Sequence, residues 1–350
     1  GRDHPFAHPS AMWQIIRWAT SSWFLLARTC GSLQWKAPEA LSTPRSGRAA
    51  WRSSRRFSLK LLEQDPLKRE EGWASSSSSN SPYGWVRPRG PGGIVYYHMH
   101  IPKTAGVSFV RDALNIIPPD AGFYSWEASY SELLAMRDQD LDDTPREPGR
   151  MVTLLRSPRG HVLSQYHQCF DTEWGQTVMA NSSHGGMNMS FSRWLQHFTR
   201  PTQDDFGCYN PFNMQTRTFA VDFPRDPHHL QNVTEVKEAV ALDNLNSTFF
   251  VGLADHYQTS LCLLHSMSNV GARLPSWCDC EALDAWNAFE PTRTTHGTRS
   301  HSVAAVARSD LRLIDKMTRR DRQLYRRAKA RFRKDVRDAE RRHRMRMLCD

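Results

Sequence analysis

A lysine at the end of a buried strand, followed within three residues by glycine and then by a hydroxyl, is the strongest chemical pattern in this chain. It lies in His98-Met99-His100-Ile101-Pro102-Lys103-Thr104-Ala105-Gly106-Val107-Ser108-Phe109. The apolar run 94–101 (IVYYHMHI) reads as a strand, Pro102–Gly106 as a turn, and the residues to about Ile116 as a helix. Outward-facing turn N–H groups, joined by the unpaired N–H groups and positive dipole end of the helix, form a cradle for a phosphate-like anion. Thr104, Ala105, Gly106, Val107 and Ser108 supply those donors, and Gly106 lets the anion approach closely. Lys103 adds a full positive charge. A Walker A loop carries its lysine late in the turn, whereas here it comes first, against an ordinary ATPase or kinase.

A second anion site is written independently at 151–166. Met151–Leu155 reads as a buried strand, Arg156 stands at its end, Pro158 opens a helix, and Ser164 follows two turns on. Arg156 can fork onto a phosphate. Ser164 can meet the same anion if a nucleotide lies along that helix. An acceptor hydroxyl attacking an activated group needs a base. Glu127 precedes the helix opened by the capping-box spacing Ser129-x-x-Glu132, and Glu132 is the fallback. His98 and His100, on the buried strand, read as core histidines. Asp138, Asp140 and Asp142 could imitate the metal-binding carboxylates of a glycosyltransferase, but they sit in an acidic loop rather than after a strand.

These two segments together resemble the Golgi polysaccharide O-sulfotransferases, particularly the heparan sulfate 2-O- and 6-O-sulfotransferases. Residues 101–109 look like that family's 5′-phosphosulfate loop, with Val107 where Thr is usual. The Arg156-to-Ser164 spacing matches its 3′-phosphate motif. The resemblance implies 3′-phosphoadenosine 5′-phosphosulfate (PAPS) as co-substrate, a glycan hydroxyl as acceptor, and a three-layer, P-loop-like α/β fold around a central parallel sheet. It places Glu127 where the 6-O-enzymes carry a histidine; a glutamate is the base in the related N- and 3-O-sulfotransferases. Glu127 and Lys103 are then the catalytic pair, and the mechanism calls for no metal. Weaker matches are Asn213-Met-Gln-Thr-Arg217, the strand around Phe249–Leu253, and Thr292–Ser302, a loop over the nucleotide that offers Arg299 and Ser300. The implied setting is the Golgi lumen, as a type II membrane protein. The rival readings are a metal-dependent glycosyltransferase and a non-catalytic, glycan-binding relative.

Strands alternating with helices are what must position these residues, which independently argues for a parallel-sheet α/β domain. That domain is expected over residues 93–345, behind an Arg- and Ser-rich arm at 1–92 that ends in Pro/Gly-rich linker text. Residues 12–27 are apolar but interrupted by Arg17, and read as a possible membrane-anchor remnant. The aromatic and aliphatic stripe Phe191, Trp194, Leu195 and Phe198 reads as core. A terminal helix is expected from Ser309 to about Arg342, restarting near Thr318. The net charge of +10 points to polyanionic company, expected to be an anionic polysaccharide rather than nucleic acid, since the basic run lacks paired aromatics. Arg193, Arg217 and Lys237 could meet acceptor acids. Seven cysteines read as too few and too scattered for a disulfide scaffold, the odd count leaving a free thiol or an intermolecular bond. Sequons at Asn181, Asn188, Asn232 and Asn246 favour a secretory lumen.

Overall fold

The computed structural model describes residues 84–90, 93–139, 149–180, 189–199, 207–221, 236–292 and 298–349. The chain divides into two units, Gly1–Ser77 and Ser78–Asp350, and the described residues belong to the second. The expected anchor at 12–27 and the sequons at Asn181, Asn188 and Asn232 lie outside the described residues. Asn246 is exposed near the end of a helix.

The fold is α/β. Five strands form one mixed, mostly parallel sheet: β1 (Trp85–Arg87), β2 (Val95–Met99), β3 (Gly122–Trp126), β4 (Arg150–Leu155) and β5 (Phe250–Leu253). Their spatial order is β1-β3-β2-β4-β5, with β1 antiparallel to β3 and every other pairing parallel. The run 94–101 forms the central strand, buried on both faces as parallel strands generally are. The sheet begins earlier than the sequence implies. Trp85–Arg87 lies within the stretch read as an arm, yet it forms the edge strand. Arg87 fixes it there by donating to the backbone carbonyls of Ala121, Leu114 and Pro118 at 2.7–3.0 Å.

Helices cover both faces. Helix α1 (Gly106–Ile116) lays Phe109 against His98 and stacks it on Phe250, with ring centroids 5.0 and 5.9 Å away. On the opposite face, the Tyr124 hydroxyl reaches Met136 of α2 (Tyr130–Gln139). That helix starts as its spacing predicts, with Ser129 Oγ accepting from the Glu132 N–H at 3.2 Å. Helices α3 (Pro158–Asp171), α4 (Glu173–Ala180) and α5 (Phe191–Phe198) follow, and Trp194 and Leu195 are fully buried in a satellite cluster. Then come α6 (Met214–Ala220), α7 (Glu238–Ser247), α8 (Tyr257–Ser268) and the short α9 (Leu283–Asn287). The terminal helix is two: α10 (Arg308–Met317) and the 25-residue α11 (Arg319–His343), broken at Thr318. Among the described residues no helix is long and apolar enough to cross a membrane.

The cysteine expectation is corrected. Cys169–Cys208, Cys262–Cys278 and Cys280–Cys349 are disulfide-bonded, closing separations of 39, 16 and 69 residues. Scatter along the sequence misled because each partner is supplied by a different element. Cys278 and Cys280 bond to different cysteines, although only Asp279 separates them.

Candidate anion-binding site

The turn after β2 and the helix after β4 stand at the carboxyl ends of adjacent parallel strands, where open α/β sheets place their ligand sites. The turn after β2 is tightly wound. Lys103 and Ala105 both take positive φ, 67° and 71°, which is uncommon for residues with a Cβ. Thr104 is committed to the turn itself: its hydroxyl and its N–H both donate to Ile101 O, at 2.8 and 3.3 Å. Both of its donors, the hydroxyl and the N–H, are thus engaged within the turn. No side chain caps α1, and its first internal bond runs from Phe109 N–H to Ala105 O at 3.0 Å. The N–H groups of Gly106, Val107 and Ser108 precede that bond and form the open first turn.

Gly106 also makes room for a neighbouring side chain. A Cβ there would lie 2.0 Å from Cδ2 of His100. The His100 ring fills that space, and its Nδ1 lies 3.6 Å from Glu127 Oε1. Strands β2 and β3 make this pair: their parallel register continues to His100, whose N–H donates to Trp126 O at 3.0 Å. Glu127 follows directly, with its side chain 42% exposed. His100 thus belongs to the site rather than to the core. His98 is the core histidine expected, with Nδ1 2.8 Å from Ser125 Oγ; burial holds its pKa well below the usual value.

The second motif closes onto the first. Arg156 Nη1 donates to Lys103 O at 3.2 Å, His161 Nε2 lies 2.8 Å from Pro102 O, and Lys103 Nζ donates to Gln168 Oε1 at 2.6 Å. His161, Ser164 and Gln168 share one face of α3 at helical spacing, so buried Ser164 sits between two residues that touch the turn. Burial lowers the Lys103 pKa to about 8, helped by the Arg156 charge and opposed by Glu127. Burial also lowers that of Arg156, against the pull of Asp255. His161 is pushed down to about 3, chiefly by burial, and is neutral at physiological pH.

Arg156 is held from behind by the Gln215 side chain, which accepts from its N–H at 3.0 Å and donates to its carbonyl at 2.9 Å. Gln215 belongs to the Asn213–Arg217 segment. In that segment Asn213 Oδ1 caps α11 and Thr216 binds Asp321, a carboxyl whose pKa burial raises to about 6. Arg217 is fully buried and donates to Asn210 O at 2.6 Å, so it is not the acceptor-facing charge considered above. Arg193 and Lys237 are exposed.

Arg299 and Ser300 are exposed and lie at the far end of α3. The Arg299 N–H donates to Asp171 Oδ2 at 3.2 Å, and its side chain is 83% exposed. What docks this loop is His301, whose ring stacks on His167 at 4.5 Å. Its pKa is lowered by burial first and then by neighbouring charges that include Arg156 and Lys103. Asp138 pairs with Arg137 at 2.8 Å, whereas Asp140 and Asp142 lie outside the described residues. No group of three His, Cys, Asp or Glu side chains suited to a metal occurs among the described residues.

Sequence reasoning missed His100, His161, Gln168, Gln215 and His301. A faint signal existed for two of them: His161 and Gln168 are polar residues at helical spacing on an otherwise core-facing helix. Neither a protein-family model nor a curated protein matches the chain.

Proposed function

We propose that this protein is a PAPS-dependent carbohydrate O-sulfotransferase with the P-loop-like fold of that class, working in a secretory, Golgi-type lumen. One observation carries the reading: the lysine turn and the arginine–serine helix, 53 residues apart, meet at the 3.2 Å contact between Arg156 and Lys103 O. Two half-buried cations, one of which lowers the proton affinity of the other, beside an uncapped helix start, suit a ligand with several negative charges. The three disulfides support an oxidising compartment.

The co-substrate supplies a sulfuryl group on a phosphosulfate anhydride. In the proposed transfer the acceptor oxygen forms a bond to sulfur while the bond from sulfur to the 5′-phosphate oxygen breaks. The electron pair stays on that phosphate oxygen, where Lys103 and the N–H groups of Gly106, Val107 and Ser108 stabilise the charge. Glu127 takes the acceptor's hydroxyl proton, and His100 beside it holds the carboxylate in place. Arg156 and Ser164 hold the 3′-phosphate, and Arg299 and Ser300 close over the nucleotide.

The test is transfer of labelled sulfate from PAPS to a panel of glycans. Lys103→Ala should abolish transfer, and Glu127→Gln should lower kcat by about 10²–10⁴-fold with KM little changed. Undiminished transfer by Lys103→Ala would refute the assignment; undiminished transfer by Glu127→Gln alone would move the base to His100.

A further inference from the structure

Lys103 ends on a neutral partner. Its ammonium has three N–H donors, and among the described residues the acceptor it meets is Gln168 Oε1, at 2.6 Å. Gln168 is buried in the last turn of α3, whereas Glu127 acts on the lysine through its charge.

The Gln168 amide is locked in the orientation this contact needs. Thr172, the residue that ends α3, gives its single hydroxyl hydrogen to Gln168 O at 2.5 Å. Its oxygen then serves as an acceptor, taking Gln168 Nε2 at 3.3 Å and the Gly175 N–H at 3.0 Å. With Nε2 drawn to Thr172, Oε1 is the end left for the ammonium. The reversed amide would set Nε2 against Lys103, donor against donor, and Oε1 against an oxygen with no hydrogen to give. Gly175 belongs to this lock. A Cβ there would press into the carbonyl oxygens of Gln168 and Cys169 and lift the start of α4 away from Thr172.

A carboxylate at position 168 would grip an ammonium more strongly, but it would also cancel the charge. The amide grips and leaves the charge standing. We propose that Gln168 is the positioning residue for Lys103, holding the ammonium in place beside the open first turn of α1 while leaving its charge, and two of its N–H groups, to a bound anion. This role rests on the reading of the turn as the site of the phosphosulfate, and it names the residue through which α3 governs the lysine.

The experiment reads the titration of Lys103 directly, by competitive acetylation of the full chain with acetic anhydride between pH 6 and 10 and mass spectrometry of the lysine-bearing peptide. Binding of 3′-phosphoadenosine 5′-phosphate is followed by calorimetry over the same range. Gln168→Leu keeps the bulk and removes the acceptor. The proton affinity of Lys103 should then fall about tenfold, and the decline of nucleotide affinity with pH should begin about one pH unit lower. Gln168→Glu should drive the two readouts apart: proton affinity rises about tenfold, while nucleotide affinity at pH 7 weakens about tenfold because the carboxylate neutralises the ammonium. A side chain that merely packs would cost binding in both variants and leave the titration where it was. Should Gln168→Leu fold poorly, Thr172→Val frees the amide to turn and should shift the titration the same way by a smaller factor. An unmoved titration in folded Gln168→Leu and Gln168→Glu, or undiminished nucleotide affinity in Gln168→Glu, would overturn the proposal. A titration that moves as stated in a protein with no affinity for the nucleotide would uphold Gln168 as the holder of the ammonium and refute the choice of ligand.

Discussion

Lys103 gives the sharpest test, because its burial moves a titration into an accessible range. With a pKa of about 8, its protonated fraction falls from about 0.9 at pH 7 to about 0.03 at pH 9.5, a ratio of about 30. The bound anion wants the ammonium, so affinity for the desulfated nucleotide, 3′-phosphoadenosine 5′-phosphate, should be flat below pH 7.5 and decline above 8. The decline also has a ceiling. A hydrogen bond to a charged group is worth about 1.5–3 kcal/mol, or roughly 10- to 150-fold in affinity. The expected loss between pH 7 and 9.5 is therefore about 10- to 30-fold, read by isothermal titration calorimetry in buffers of matched ionic strength. Lys103→Met should bind weakly with no decline over this range, and Lys103→Arg should remove the decline while keeping the charge. A wild-type affinity that stays level to pH 9.5, or a decline that persists in Lys103→Met, would refute the placement of the ammonium against the anion.

Three further outcomes follow from the geometry. Gly106→Ala forces a Cβ into the His100 ring, 2.0 Å away as it stands, and should cut turnover at least tenfold; Gly106→Ala combined with His100→Ala should bind nucleotide better than Gly106→Ala alone. Gln215→Ala leaves the N–H and carbonyl of Arg156 without their partner, so it should lower stability by about 1–3 kcal/mol in urea melts and weaken nucleotide binding as well. Cys169→Ser/Cys208→Ser opens a 39-residue loop, worth about 4 kcal/mol by chain entropy, and should lower Tm without altering the nucleotide affinity of the folded fraction.

How much of this was legible depended on whether a feature is local. The run 94–101, the turn after it, the Ser129 cap and the break at Thr318 are set by neighbours within a few residues, and the sequence pattern displays them. The contact between residues 101–109 and 156–168 was legible only as two separate anion motifs. Their meeting needs β2 and β4 to be adjacent, which no local spacing specifies. Trp85–Arg87 was hidden for the opposite reason: three residues are too short for a periodic signal, and its place is fixed by Arg87 reaching carbonyls 27–34 residues away. The disulfides were misread because long-range partners share no spacing. Gly106 was read as letting an anion approach closely; that it also makes room for the His100 ring, just past the end of the preceding strand, had no signal in the local pattern.

Lys103 does not contribute to stability at neutral pH. Its native pKa lies below its ordinary value, so the unfolded chain holds this proton more tightly than the folded one. Between pH 8 and 10.5 the contribution of this group to stability therefore rises with pH, and below pH 8 the buried ammonium is a standing cost of about 3 kcal/mol. Two residues at positive φ and an uncapped helix start add further cost in the same six residues. A merely structural turn would be relieved of all three by ordinary substitutions. Affinity for an anion runs the other way along the pH axis, falling where stability rises. Under the proposed function the two trends oppose each other, and Lys103→Met should separate them by raising Tm while leaving only weak, pH-independent nucleotide binding.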